Sequence, residues 1–213
     1  MVWLNGYCPS PSLIQECIYC GRSFLQSPHE NDFSHKLPLI FTDGACLNNG
    51  YDGARAGYGV VISNDAQGRK NFAFSGDQER TNQKAELAGV KKGLELAFQA
   101  AGQQGRAHSC PTPSYKNFVI ATDSEYAVKG ITEWLPMWKT NGFRASNGRR
   151  PINEAEFREI DYIMERHEAM GHNVALWHIP RSFNADADQL AGQGANRDQG
   201  PRNRNHGVWP AYG

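Results

Sequence analysis

Three β-prone runs lie between Leu39 and Ser75, joined by short loops, and they constrain the fold more than any other feature of the chain. Leu39-Ile40-Phe41-Thr42 stops at Asp43-Gly44, a turn signal. Tyr58-Gly59-Val60-Val61-Ile62 is closed by Ser63-Asn64-Asp65, and Asn71-Phe72-Ala73-Phe74-Ser75 alternates as a third strand. Short loops predict antiparallel pairing of the three. The hydrophobic period then lengthens. Leu87, Val90, Leu94 and Phe98 recur at three- and four-residue spacing, which predicts a helix capped by Thr81 or Asn82. Residues 102–114 read as a surface insertion. Phe118-Val119-Ile120-Ala121 is a fourth strand ending at Thr122-Asp123, and a helix from Asp123 or Ser124 runs toward Trp134. Asn153 with Glu156 resembles a capping box, opening a helix with Phe157, Ile160, Met164 and His167 on one side and Gly171 as its stop. Val174 to Ile179 is a fifth strand, stopped by Pro180, and Asn184 to Ala195 is a last helix. This order predicts an α/β fold: a five-stranded mixed sheet, three antiparallel strands then two parallel, with helices on both faces.

The chain has 213 residues, 39% of them hydrophobic, which fits one domain with a core plus extensions. The division expected is an N-terminal extension at 1–36, a domain at 37–196 and a disordered tail at 197–213. Removing residues 1–36 is expected to leave the domain folded. No apolar run is long enough to span a bilayer, and the start lacks the pattern of a secretory signal. The expectation is an intracellular monomer with no membrane partner; nucleus, cytoplasm and mitochondrion stay open. Basic and acidic residues balance at 22 each, so attraction to nucleic acid must come from a local patch. Five cysteines, not spaced as a disulfide framework, predict reduced thiols.

Four carboxylates sit where a core would not need them. Asp43 ends the first strand, Glu86 lies in the first helix, Asp123 ends the fourth strand and Asp188 is in the last helix. If the first and fourth strands are neighbours, Asp43 and Asp123 come close, and helices packed on the sheet can add the other two. Clustered carboxylates repel and are costly to desolvate, a cost that divalent cations remove. Oxygen-only ligands suit Mg2+ or Mn2+ rather than zinc. Two such ions about 4 Å apart can hold a scissile phosphate and activate water for in-line attack. Any one of these acids alone reads as a turn or cap residue; the conjunction in chain order is what points to a site.

Phe41-Thr42-Asp43-Gly44-Ala45-Cys46, Thr81-Asn82-Gln83-Lys84-Ala85-Glu86-Leu87, Ala121-Thr122-Asp123-Ser124-Glu125-Tyr126 and Ala187-Asp188-Gln189-Leu190-Ala191 resemble the successive signatures of type 1 ribonuclease H. Ile131-Thr132-Glu133-Trp134 and Trp138-Lys139 resemble the segment after the third acid. The resemblance covers about residues 37–196. It implies a ribonuclease H-like fold and a metal-dependent endonuclease that cuts the RNA strand of an RNA–DNA hybrid, leaving 5'-phosphate and 3'-hydroxyl ends. It implies Asp43, Glu86, Asp123 and Asp188 as ligands of two Mg2+ ions, with Mn2+ as a substitute. Asp186, two residues from Asp188 on another flank of the helix, is read as a decoy.

The resemblance further implies that Cys46, Asn48 or Asn49, Asn82, Gln83 and Glu125 line the minor groove, where contacts to the 2′-hydroxyl tell RNA from DNA, and that Thr81 grips a DNA-strand phosphate. Asn82 reads equally as a helix cap. Between Trp134 and Pro151, Lys139, Arg144, Arg149 and Arg150 stand with Trp138 and Phe143 and no acid. This stretch resembles the family's basic handle for a DNA backbone, with Trp134, Trp138, Lys139 and Arg144 as contacts; a solvated loop with buried tryptophans is the other reading. Many members carry a glycine–histidine loop before the last acid. Here Trp177-His178-Ile179-Pro180-Arg181-Ser182-Phe183-Asn184 is shorter, resembles a subgroup without that loop, and leaves Arg181 as the stand-in at the leaving phosphate. Cys17-Ile18-Tyr19-Cys20 is a Cys-x-x-Cys pair with Cys8, His29 and His35 nearby. A structural zinc site at Cys8, Cys17, Cys20 and His29 is one reading, unliganded thiols the other. A non-catalytic nucleic-acid-binding module and a reverse-transcriptase-derived fragment remain alternatives for the whole chain.

Overall fold

The computed structural model describes residues 10–18, 20–26, 37–76, 78–102 and 116–200. Its centre is a sheet of β3 (Leu39–Leu47), β4 (Arg55–Val61), β5 (Arg69–Ala73), β6 (Asn117–Thr122) and β7 (Asn173–His178), in the order β5-β4-β3-β6-β7. The β3–β4 and β4–β5 pairs are antiparallel; β3–β6 and β6–β7 are parallel. This is the mixed sheet expected from the sequence. The helices are α1 (Asn82–Gly102), α2 (Glu125–Lys129), α3 (Leu135–Thr140), α4 (Glu154–Ala169) and α5 (Ala185–Arg197). Among the described residues no helix is long and apolar enough to cross a membrane.

Because strand side chains alternate between faces, the sheet feeds two cores. Ile40, Val60, Phe118, Ile120 and Leu176 pack on one face with Leu87, Val90 and Leu94 of α1 and Phe157, Ile160 and Met164 of α4. Leu39, Phe41, Val119, Ala121 and Trp177 pack on the other with Ala187 and Leu190 of α5. Between α2 and α3 the helix widens into a π-helical stretch, Gly130–Trp134, rather than running on as one α-helix. Gly171, at φ +72°, follows the end of α4 as expected. The capping box is not there. Asn153 has a left-handed backbone, φ 62°, makes no side-chain cap, and donates instead to the Tyr126 hydroxyl at 3.0 Å.

Both ends of the domain are wider than the sequence suggests. Within 1–36 the chain forms a hairpin of β1 (Ile14–Glu16) and β2 (Ser23–Leu25). It does not stand apart: Phe24 enters the first core and Leu25 the second, and the Leu25 N–H donates to the Leu37 carbonyl at 3.0 Å. Deleting 1–36 therefore uncovers both cores, contrary to the expectation of a separable extension. The tail expected to be disordered from residue 197 is tied down through Gly200; residues 201–213 lie outside the described residues. Asp198 accepts from Arg80 Nε at 2.6 Å and Nη2 at 3.0 Å, from the Ala56 N–H at 2.8 Å and from the Gly200 N–H at 3.0 Å. Burial alone would raise this carboxyl; the hydrogen bonds from Arg80, Ala56 and Gly200 outweigh it and hold the group below its usual range.

The Arg80 and Asp198 side chains are only 2% and 1% exposed. Removing one partner strands the other charge inside, at a cost of about 3–5 kcal/mol. Urea unfolding of Asp198→Ala should show a lower midpoint at unchanged slope. A loss under about 1 kcal/mol, the range of a surface pair, would show that Arg80 finds water instead.

Candidate active site

The site begins with two glycines. A Cβ on Gly44 would stand 2.1 Å from the Ala85 carbonyl carbon and the Glu86 nitrogen, so α1 lies directly on β3 there. Gly59 is the antiparallel partner of Asp43. A Cβ on it would stand 2.4 Å from the Ala187 oxygen and 2.7 Å from the Ala191 nitrogen, so α5 lies directly on β4. The two helices approach from opposite faces and bring Glu86 and Asp188 to Asp43. The fourth acid comes from register. β3 and β6 pair Leu39 with Val119 and Phe41 with Ala121, and two residues on, the same register sets Asp43 beside Asp123.

Asp43 is 8% exposed. Burial, reinforced by the charges of Asp123, Asp188 and Glu86 against a hydrogen bond from Gly44, pushes its carboxyl up to about 7. Burial also raises Glu86, opposed by a hydrogen bond from Ser124. Three of the four acids are held by neighbours. Ser124 Oγ donates to Glu86 Oε2 at 2.6 Å, Asn184 Nδ2 donates to Asp123 Oδ1 at 2.7 Å, and Arg181 Nη2 donates to Asp188 Oδ1 at 2.5 Å. No three His, Cys, Asp or Glu side chains among the described residues are gathered to chelating distance. The donor set nevertheless suits a divalent cation: four carboxylates, the most buried of them held above its ordinary value by burial and by its acidic neighbours. Asp186 lies outside this group, in a bidentate pair with Arg69 at 2.8 and 2.9 Å.

Ser124 and Asn184 are the positioning residues that sequence reasoning missed. Ser124 was legible only as a helix cap. It does cap α2, accepting from the Ala127 N–H at 3.1 Å, while its hydroxyl proton goes to Glu86. Asn184 stands at the N-cap position of the last helix, yet its side chain makes no cap. It is buried and turned to the sheet, donating to the Thr42 carbonyl at 3.1 Å as well as to Asp123. Its Oδ1 and the neighbouring Thr42 Oγ1 are buried with no hydrogen-bond partner. Such unsatisfied atoms are few in native proteins and call for a reason; here they flank the backbone that carries two of the acids.

The residues expected at a hybrid groove gather at one edge. Asn82 Oδ1 accepts from the Cys46 N–H at 3.0 Å, and Asn49 Oδ1 accepts from the Asn82 N–H at 3.3 Å. The turn between them holds Asn48 at φ 55°. Thr81, not Asn82, caps α1, its Oγ1 accepting from the Lys84 N–H at 3.2 Å. Gln83 is exposed beside it, and Glu125 is exposed in an i,i+4 pair with Lys129. The expected basic handle is only partly of that kind. Trp138, 7% exposed, belongs to the core, edge-on to Phe157 with ring centroids 5.2 Å apart, and Trp134 packs beside it. The Trp138 ring is buried against α4, so it is not a stacking platform for bases. Lys139 is paired with Asp161 at 2.9 Å and Glu165 at 2.8 Å, and Arg150 with Glu154 at 2.7 Å. Arg144 is exposed and reaches the Gly148 carbonyl at 3.0 Å; Arg149 is exposed. Of the zinc candidates, Cys17 and Cys20 are half-buried at the hairpin, while Cys8 and His29 lie outside the described residues.

No histidine loop separates β7 from α5. Arg181–Phe183 is a 3-10 turn that leads straight into the helix, and His178 sits on β7, near the Asp123 carbonyl at 3.2 Å.

Known proteins agree with this architecture. Ribonuclease H1 of Rattus norvegicus is 33% identical over 166 residues, 76% of this chain and 51% of that protein. The chain thus spans about half the length of the mammalian relatives it matches. Ribonuclease H of Bordetella avium (strain 197N) is 34% identical over 164 residues, 74% of this chain and 90% of that protein. A solved foamy viral protease-reverse transcriptase in complex with dsDNA superposes with a TM-score of 0.55 at 21% identity, over 74% of this chain and 92% of that one, a likeness of fold. The sequence matches the RNase H family over residues 35–196, and with four acids in place on that fold, the chain belongs to the RNase H family.

Proposed function

We propose that this chain hydrolyses the RNA strand of RNA–DNA hybrids in a metal-dependent reaction that leaves 5'-phosphate and 3'-hydroxyl ends. The observation that carries the reading is the convergence of Asp43, Glu86, Asp123 and Asp188 from four separate elements. These residues would hold two Mg2+ ions, or Mn2+ in their place; bound there, the ions would neutralise the acids, polarise the scissile phosphate and lower the pKa of a water. The chain's own residues do the rest. Ser124 and Asn184 fix the carboxylates of Glu86 and Asp123. Asn82 spends its Oδ1 on Cys46, which leaves its amide nitrogen as a donor for the substrate at the edge where Asn49 and Gln83 also lie. A 2′-hydroxyl is both donor and acceptor and suits such a polar edge. Arg181 is permanently charged, so it cannot act as a base, but its forked guanidinium can bind a phosphate beside Asp188. Labelled hybrid, double-stranded RNA, double-stranded DNA and single strands, each with Mg2+ and with EDTA, test the reading. It requires cleavage of the RNA in the hybrid, dependent on metal.

Asp43→Asn, Glu86→Gln, Asp123→Asn and Asp188→Asn each keep shape and remove charge. Each should abolish or nearly abolish turnover while binding of hybrid, measured by fluorescence anisotropy, survives better. Asp186→Asn should be mild because Asp186 pairs with Arg69 away from the cluster. Near-normal turnover by Asp43→Asn would sink the mechanism.

Arg181→Ala should lower kcat by about tenfold to a hundredfold, the scale of losing one charged donor to a phosphate, and Arg181→Lys should recover part of it. Wild-type kcat in Arg181→Ala, with folding checked by circular dichroism, would leave the arginine as a surface partner of Asp188 only.

The raised Asp43 carboxyl also sets a pH dependence. In the metal-free protein it keeps a proton, between its unfolded value of 3.8 and its folded value of about 7, that the unfolded chain has released. Its contribution to stability is therefore fully present below the unfolded value and is lost as pH rises through about 7. His167 and His172, both lowered by burial, work in the opposite sense. The difference between two proteins cancels them. In EDTA, the Tm of Asp43→Asn minus that of wild type should grow from pH 5 to pH 8, and Mn2+ should raise the wild-type Tm at the upper end. A flat difference would show that Asp43 ionises freely without metal.

A further inference from the structure

We propose that His167 and His172 form an acid-sensitive latch that holds α4 and the start of β7 to α1. The latch takes up one proton on His172 without opening, and it opens when a second proton reaches His167. The inference does not rest on the nuclease reading. The pair lies where β6 and β7 begin, with Asn117 opposite Asn173, whereas Asp123 lies just beyond the far end of that pairing, Thr122 opposite His178.

The end of α4 builds the pair. Gly171 has φ +72°. Its N–H donates to the Glu168 carbonyl at 2.9 Å, and the His172 N–H donates to the His167 carbonyl at 2.9 Å. These are the two bonds of a helix stop in which a left-handed glycine turns the chain back over the last turn. Such a stop brings together the side chains at the positions of His167 and His172, and an apolar contact frequently forms there. Here both are imidazoles, in surroundings that are otherwise aromatic. His167 is fully buried. Phe98 of α1 stands edge-on to the two rings, with centroids 5.2 and 6.0 Å away, and Phe118 of β6 lies 6.2 and 6.0 Å from them. Two leucines would fill such a place without ionising.

Hydrogen bonding fixes where the protons are. His167 Nε2 lies 2.9 Å from the Leu94 carbonyl, which can only accept, so Nε2 carries a hydrogen and donates. In a neutral ring that leaves Nδ1 as an acceptor. His172 Nδ1 lies 3.2 Å from it and is therefore the donor. A first proton has one compatible place, Nε2 of His172: the Nδ1–H donor stays, and its bond gains from the charge. A second proton would go to His167 Nδ1 and set two N–H groups and two positive rings against each other.

Burial holds both imidazoles below the usual value of 6.5; on His167 the Leu94 bond opposes this while the charges of His172 and Arg166 add to it, and on His172 the charge of Lys116 adds. Arg166 is kept near by stacking over the Phe98 ring at 4.9 Å, and Lys116 immediately precedes β6. On α1 the charged residues around Leu94 are committed to salt bridges, Lys91 with Glu159 of α4 and Lys92 with Glu95. Because the folded pair resists protons that the unfolded chain accepts, its contribution to stability is fully present above 6.5 and is lost as pH falls from there through the folded values.

Nitrogen-15 NMR of the full chain at pH 8 should show His167 as the Nε2–H tautomer and His172 as the Nδ1–H tautomer. On acidification His172 should titrate first, with a midpoint below 6.5, and His167 should stay neutral until the fold opens. His167→Leu/His172→Leu puts an apolar pair at the helix stop that does not titrate. Its Tm minus that of wild type should grow by about 3–6 °C from pH 7.5 to pH 5. Should the double variant fail to fold, the wild-type titration decides alone. A His167 that titrates near 6.5 in the folded protein overturns the proposal. So does the opposite tautomer on either ring, or a Tm difference that does not change with pH.

Discussion

Carboxylates from two helices can reach Asp43 only because the backbone beneath those helices carries no side chain. The virtual Cβ distances of 2.1 Å at Gly44 and 2.4 Å at Gly59 are far inside van der Waals contact, and the atoms met are backbone, which cannot rotate aside. Gly57 repeats the arrangement under α5, 2.1 Å from the Ala195 nitrogen, and Gly89 of α1 returns it from the helix side, 2.7 Å from the Asp43 carbonyl. Helix and strand thus touch backbone to backbone on both faces of the sheet. An alanine at any of these positions would lift a helix and carry its acid outward. The geometry of the carboxylate cluster is therefore set by packing that involves none of the carboxylates.

The same fold holds buried carboxylates in two opposite conditions. Asp198 meets Arg80 and two backbone N–H groups, and its hydrogen bonds keep it ionised below its usual range despite burial. Asp43 meets other carboxylates, and burial pushes it up to about 7. The first arrangement is complete in itself and fastens the end of α5 to the segment leading into α1. The second is left incomplete, and its neighbours supply only partial relief: a serine hydroxyl to Glu86, an amide to Asp123, a guanidinium to Asp188. A site left short of positive charge suits a cation, and on the proposed reading a bound metal would restore the stability it forgoes.

Much of this was readable from periodicity, because periodicity reports burial. Leu87, Val90 and Leu94, and Phe157, Ile160, Met164 and His167, are buried as their spacing predicts. The acids were readable from their positions at strand ends and on helices. Features with no period were not. Three-residue strands give no alternation to count, so the hairpin of residues 14–25 looked like an extension. Asp198 sits in a polar tail whose composition reads as solvated, and its partners Arg80 and Ala56 are far away in sequence. Asn153 and Asn184 precede helices, but tertiary partners, the Tyr126 hydroxyl and the Thr42 and Asp123 oxygens, take their side chains away from the helix. Trp138 stands among basic residues, yet burying an indole against Phe157 outweighs presenting it to solvent.

The connection from β7 to α5 shows how a local constraint limits chemistry. Ile179 is buried and its N–H donates to the Thr122 carbonyl at 3.0 Å. The Phe183 and Asn184 N–H groups both donate back into the turn, at 2.9 Å, to Pro180 and Arg181. Asn184 is then fastened to the sheet by its side chain. A backbone engaged at this many points has no slack with which to swing a residue toward the acids and away again, as a longer loop could. What remains free to move is a side chain, and the Arg181 side chain, 76% exposed and already in contact with Asp188, is the charged one at that place. On the proposed reading, Arg181 is the residue placed to take up a leaving phosphate here, by rotation of one guanidinium. That rotation would exchange a carboxylate partner for a phosphate without moving the chain.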